Sequence, residues 1–429
     1  MKRYFALLFL LLTLSCGKSS LPVPALYELD VTLTYPPESG VTPHAGVEVR
    51  ISGAMLTLEE RTDADGKAVF RAPAGIYKLF VSEKVEGQYF NAGKEIIVRS
   101  GSGALSCPVT LSVSRTSPLV IKEFYCGGCP KEDSGFYAND KYVILYNNSA
   151  ADILLNHVGM AMTYPYPATN TTNYDYVDGV LSYEAAGTAP AGLAFWTFDS
   201  GEPLVLGPGE QKLVVLAYAI DHTPTFPKSV DLSLPEYYVV YDSEATKNHT
   251  APSERIPTSH YLKVWNYGLT GYWAMDRMSP AFFIFSPESG AALEAFFRDG
   301  SNVSLYNNKI NFPRKMIPRS WLLDGIEVFE KDNAKNKKRL PSHLDLGAVE
   351  MVGGLGYTLY RNVDRAATEA IGENAGKLVY DYDGGTEGST DPSGIDAEAS
   401  LRNGARIVYL DTNDSSRDFH LRKKSSLKP

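Results

Sequence analysis

Between Tyr27 and Val113 apolar and polar residues alternate with a period of two, and that alternation leaves few choices of fold. It runs through Leu29-Asp30-Val31-Thr32-Leu33-Thr34, Val47-Glu48-Val49-Arg50-Ile51, Ala68-Val69-Phe70-Arg71 and Ile76-Tyr77-Lys78-Leu79-Phe80-Val81. Successive side chains of a strand point to opposite faces, so each run buries one face and wets the other; a helix would need apolar residues every three to four positions. Asp65-Gly66 supplies a tight hairpin turn that tolerates positive φ, and Gly75 opens the next run. Residues 27–115 are therefore expected to form a small antiparallel β-sandwich without helix.

Ser114 to Pro118 is the expected boundary. A second set of strands starts at Leu119-Val120-Ile121-Lys122-Glu123-Phe124 and Tyr142-Val143-Ile144-Leu145-Tyr146, with a turn at Gly207-Pro208-Gly209 before Lys212-Leu213-Val214-Val215-Leu216. Residues 119–429 should make a larger β-sandwich with long loops, so the fold class is all-β. Helix is expected only over Pro318–Glu330, with Ser320 as N-cap and Trp321 and Leu322 facing the core, and over Arg361–Gly376, where alanines recur at helical spacing. The Gly- and Asp-rich run from Asp381 to Glu398 reads as a long surface loop.

The N-terminus reads as an export signal. Lys2 and Arg3 precede an apolar run from Tyr4 to Leu14, far shorter than the roughly 20 residues that span a bilayer. Ser15-Cys16 then closes it as a lipobox would: residues 1–15 are removed, the Cys16 thiol is acylated, and 16–26 form a tether. The alternative is an ordinary cleaved signal with Cys16 incidental. A formal net charge of -9 argues against nucleic acid as a partner, because phosphate binding needs a basic face. Lys335-Asn336-Lys337-Lys338-Arg339 and Arg422-Lys423-Lys424 read as solvated segments.

The run Thr62-Asp63-Ala64-Asp65-Gly66-Lys67-Ala68-Val69-Phe70, followed by Gly75-Ile76-Tyr77-Lys78-Leu79, resembles carboxypeptidase-regulatory-like sandwiches. Ile121-Lys122-Glu123-Phe124-Tyr125, Lys141-Tyr142-Val143-Ile144-Leu145-Tyr146-Asn147-Asn148-Ser149 and Gly356-Tyr357-Thr358-Leu359-Tyr360-Arg361 resemble lamin-tail-like domains. With Trp321-Leu322-Leu323-Asp324-Gly325 and Asp411 to Phe419, the whole chain resembles Bacteroidetes-type outer-membrane lipoproteins of unknown function. That resemblance implies an outer-membrane location beside a TonB-dependent receptor or another β-barrel. Gly17-Lys18-Ser19-Ser20 lacks the acids that usually mark surface export, so the resemblance leaves the leaflet open.

Chemistry is sparse. Cys126-Gly127-Gly128-Cys129 admits a disulfide, a plain turn, a metal site or a redox pair. The two glycines disfavour the helix start that a redox motif uses, and zinc would need a fourth ligand, so the disulfide or turn is preferred. With Cys16 acylated, Cys107, Cys126 and Cys129 leave one odd thiol. Asp381, Asp383, Glu387, Asp391 and Asp396 invite calcium, but Gly385 and Thr386 break the EF-hand pattern. The seven histidines make no metal pair, and no nucleophile elbow is present. No cofactor or metal is expected. Tyr164, Tyr166, Tyr174 and Tyr176 crowd one loop, and tyrosine offers large, stiff contact area with a polar tip. Trp265, Tyr267, Tyr272 and Trp273 read instead as strand packing. The expected role is non-catalytic: an anchored binding or accessory component of TonB-dependent uptake, with an envelope scaffold and then a hydrolase with an unrecognised site as the alternatives.

Overall fold

The computed structural model describes residues 24–428 except 54–55, 86–87, 102, 115–116, 170–173, 179, 200, 245–249, 269–272 and 274. Cys16, the signal segment, most of the tether and Tyr272 lie outside the described residues.

The alternating runs form eight strands: β1 (Leu26–Thr34), β2 (Glu48–Gly53), β3 (Thr57–Arg61), β4 (Lys67–Pro73), β5 (Gly75–Val85), β6 (Gln88–Val98), β7 (Leu105–Thr110) and β8 (Ser112–Ser114). They make two sheets, ordered β4-β1-β7 and β3-β2-β5-β6-β8. Leu29, Val31, Leu33, Val49, Ile51, Phe70 and Leu79 are fully buried between them, on the face the alternation assigns inward. The Asp63 carboxylate accepts from the amides of Asp65 and Lys67, which closes the turn into β4. Gly66 sits at φ +74° there, and a Cβ would lie 2.7 Å from Pro43.

The rest of the chain is built around two facing sheets. One has seven strands in the order 238–239, 211–215, 142–147, 119–125, 358–361, 419–422 and 386–387; the other has six, ordered 263–266, 194–197, 159–162, 281–285, 322–330 and 349–351. Phe124 and Phe282 stack across the gap at 5.2 Å, within a core that includes Met160, Trp196 and Leu359. A three-stranded sheet of residues 189–192, 313–317 and 303–305 joins a second core with the helix α1 (Gly290–Arg298). The architecture is all-β, with few and short helices.

All seven residues of Leu119–Tyr125 are buried, which puts two charges inside. Each is compensated, as burial demands. Lys122 donates to Gln211 at 2.6 Å and pairs with Glu398 at 2.5 Å; Glu123 accepts from Tyr142 at 2.7 Å and Thr358 at 2.9 Å.

Helix was expected over Pro318–Glu330, and the structure corrects this. A 3-10 turn at Arg319–Trp321 leads into the strand Leu322–Glu330, which pairs with 281–285 on one side and 349–351 on the other. Sheet pairing on both edges outweighs the local helical pattern. Ser320 makes no cap, although Trp321 and Leu322 do face the core. Arg361 ends a strand, so the second expected helix shrinks to α2 (Arg365–Glu369), capped by Asp364, and a 3-10 turn at Gly372–Asn374. Two short helices not expected from periodicity, α3 (Ala397–Arg402) and α4 (Ser415–Asp418), start on Asp396 and Asp414, and Ser289 caps α1.

The basic segments are corrected too. Lys338 pairs with Glu327 at 2.6 Å and Asp345 at 3.3 Å, and Arg339 is fully buried, 3.6 Å from Asp175. Arg422 lies between the rings of Tyr360, at 3.5 Å, and Tyr382, at 4.1 Å. Lys338, Arg339 and Arg422 thus serve as counter-charges to buried carboxylates and rings, while Lys335, Lys423 and Lys424 keep the expected exposed character, Lys423 paired with Glu387 at 3.3 Å.

Candidate functional site

The loop tyrosines gather around two aromatic residues that sequence spacing did not single out, Tyr306 and Phe312. Tyr164 stacks on Phe312 at 4.8 Å and meets Tyr306 edge-on at 5.6 Å; Tyr166 meets Tyr164 at 6.0 Å, and Tyr174 meets Tyr306 at 5.8 Å. The cluster is fixed from below. Arg314 lies over the Tyr306 ring at 5.4 Å and donates to both oxygens of Asp175, at 2.8 and 2.9 Å. Tyr306 is 3% exposed, whereas Tyr174 is 58% exposed, so one ring is scaffold and the other surface. Leu305 and Ile310, which flank Tyr306 in the chain, are exposed as well. Tyr176 turns away: its hydroxyl donates to the Lys338 carbonyl at 2.8 Å, and Lys337 stands over its ring.

Trp265 and Trp273 are buried and donate to Thr197 and to the Leu216 carbonyl, and Tyr267 donates to the Ala191 carbonyl. They pack the two cores.

Cys126 and Cys129 are not joined: of the two preferred readings, a disulfide or a plain turn, the structure has the turn. Both are free and buried, as is Cys107 in the other sandwich. The thiols serve different surroundings: Cys126 packs in the core between the large sheets, while Cys129 faces Asp140 and Ser229. Burial pushes the Cys126 thiol up to about 12 and the Cys129 thiol up to about 11, so neither is a thiolate nucleophile at neutral pH. Gly128 shapes the turn at φ +74°, where a Cβ would strike the Tyr137 carbonyl.

In the acidic loop, Asp391 accepts from the amides of Val363 and Ser393, and Asp396 caps α3. Glu387 lies on the short strand Thr386–Glu387. Among the described residues no three His, Cys, Asp or Glu side chains converge as metal ligands.

A cleft of about 350 Å3 separates the first sandwich from the large sheets. Leu119, Ile153, Leu154, Val158 and Leu323 line it on one side, and Glu48, Arg50, Arg61 and Glu83 on the other. Glu48 pairs with Arg50 at 3.0 Å and Arg61 at 3.4 Å; burial nonetheless pushes its carboxyl up to about 7. Glu83 accepts from Tyr35 and contacts His44 at 3.2 Å. By the Val49–Val81 register, Glu48 and Glu83 fall on opposite faces of the sheet, which is not the arrangement of a facing acid–base pair.

No curated protein matches the sequence. A crystal structure of a DUF4876 family protein from Bacteroides thetaiotaomicron VPI-5482 shares the fold: the TM-score is 0.52 at 19% identity, over 92% of this chain and 94% of that one. A DUF3823 family protein from Parabacteroides merdae ATCC 43184 aligns at 9% identity over 43% of this chain and 92% of its own, and the Bacillus anthracis TIE protein at 14% over 32% and 22%; both have a TM-score of 0.17, too low to bear on the argument. Residues 207–387 of this chain match the model of a family described as "Protein of unknown function (DUF4876)".

Proposed function

We propose that the protein is a non-catalytic binding component, anchored to the outer membrane through Cys16, that works as an accessory to a TonB-dependent receptor or another outer-membrane barrel. The observation that carries this reading is the surface around Tyr174. An exposed ring set against Tyr306, whose chain neighbours Leu305 and Ile310 are exposed too, and held by a buried Tyr306–Arg314–Asp175 support, has the character of a recognition surface. Rigid support lowers the entropy cost of binding. Acyl chains at the N-terminus, at about 0.8 kcal/mol per buried methylene, would hold the chain at the membrane where such a barrel lies. The buried thiols and the opposed orientations of Glu48 and Glu83 favour binding over catalysis.

The test is affinity purification of the full-length chain from detergent-solubilised envelopes. A co-purifying barrel that is lost with Tyr174→Ala, together with impaired uptake in a deletion strain, is the expected result. Absence of any barrel and unchanged uptake would refute the role. Cys16→Ser should release the chain from the membrane fraction.

A further inference from the structure

The cleft between the first sandwich and the large sheets carries an inference of its own. Its floor is apolar, from Leu154, Val158 and Leu323, and its walls present charges of both signs. On the first-sandwich wall Arg50 is occupied by Glu48 at 3.0 Å and Glu59 at 2.7 Å, and it reaches the Glu288 carbonyl at 3.4 Å. Arg61 is less committed. Its side chain is 54% exposed, and it donates to the Gly46 carbonyl at 2.9 Å with a looser contact to Glu48 at 3.4 Å. A guanidinium has five donors in a fork that suits a carboxylate. The facing wall carries Asp152 and Glu288; Glu288 is exposed and meets Arg50 through its backbone carbonyl, so that contact does not use its carboxylate.

We propose that this cleft binds a small zwitterion with an apolar body, of the amino-acid or short-peptide class. The ligand's carboxylate would sit on Arg61, its ammonium on Glu288, and its side chains on Leu154 and Leu323. A simple anion would meet like charge on the second wall, and a simple cation would meet Arg61 on the first. A wholly apolar ligand would desolvate both walls without pairing them. The volume and the position between two domains suit a small-ligand site. The inference rests on the binding reading above, but it names a place that the tyrosine surface does not share.

The experiment is calorimetric titration of the full-length protein in detergent micelles with trileucine, and in parallel with N-acetyl-trileucine amide. The free peptide should bind, the capped one at least ten-fold more weakly. Arg61→Gln and Glu288→Gln should each weaken the free peptide about ten-fold, and Leu323→Trp, which fills the floor, should abolish binding. Thermal melts of the variants confirm folding. No binding of the free peptide, equal binding of the capped one, or unchanged affinity in a folded Leu323→Trp variant overturns the proposal. Barrel co-purification does not involve the peptide, so that reading stands or falls separately.

Discussion

Arg361 donates from Nη2 to Oδ2 of Asp324 at 2.5 Å, and the two residues belong to opposite sheets of the large sandwich. The same Asp324 oxygen accepts the Ile121 amide at 2.7 Å, while Arg361 also reaches the Ile121 carbonyl at 2.7 Å. Asp411 and Asp418 stand 3.8 and 3.7 Å from its other nitrogen. Arg361→Met would leave three buried carboxylates without their cation. The expected loss is about 3–5 kcal/mol in denaturant unfolding, with partial recovery in the Arg361→Met/Asp324→Leu pair. A loss below about 1 kcal/mol would show that this ion pair is not what joins the sheets.

The aromatic cluster should divide by burial. Tyr306→Ala removes a ring that is 3% exposed and should cost about 3–5 kcal/mol. Tyr174→Ala, at 58% exposed, should change stability by no more than about 0.5 kcal/mol while weakening partner capture. Chemical denaturation and pull-down on the same two variants check both halves. Equal destabilisation would make Tyr174 a packing residue.

Glu48 makes stability depend on pH. Burial raises its carboxyl from 4.5 to about 7, so the folded chain holds that proton more tightly than the unfolded one. Its contribution is complete below pH 4.5 and is lost as pH climbs through 7, by up to about 3 kcal/mol. His420 acts in the opposite sense. Burial and then Arg422 lower it from 6.5 to about 3, so its contribution is complete above 6.5 and is lost as acid protonates the unfolded chain. Melts of Glu48→Gln from pH 5 to 7.5 should lose the part of the decline that wild type shows. Parallel profiles would contradict the assignment.

The three described cysteines should resist alkylation in the folded protein. All three are buried and free, and burial raises each thiol. Mass spectrometry after iodoacetamide treatment should find Cys107, Cys126 and Cys129 unmodified in the native chain and all modified after denaturation without reductant. A Cys126–Cys129 peptide that resists modification until reduced would contradict the free thiols.

The all-β class was legible because alternation is local. Leu29, Val31 and Leu33 announce an inward face without reference to any partner. The strand Leu322–Glu330 was not legible, because its identity comes from neighbours 40 residues before it and about 20 after it. Caps were readable in principle: Ser289, Asp364, Asp396 and Asp414 each begin a short helix, but without a long apolar stripe behind them they look like ordinary loop residues. Lys338 and Arg339 looked solvated for the same reason, since their partners Glu327, Asp345 and Asp175 are distant in sequence. The tyrosine cluster was half legible. Tyr164, Tyr166 and Tyr174 share a loop, but Tyr306 and Phe312 come from more than 130 residues away. The cleft lies between elements with no shared motif, and nothing short of the assembled chain reveals it.

The strand Phe419–Arg422 lies inside the seven-stranded sheet, between Thr358–Arg361 and Thr386–Glu387. During synthesis the first sandwich has all its partners by residue 114, but the larger sheet must wait until residue 422 emerges. Every premature stop in that interval would release a ready-made small domain trailing an unfinished one, with its hydrophobic interior open to chaperones and proteases.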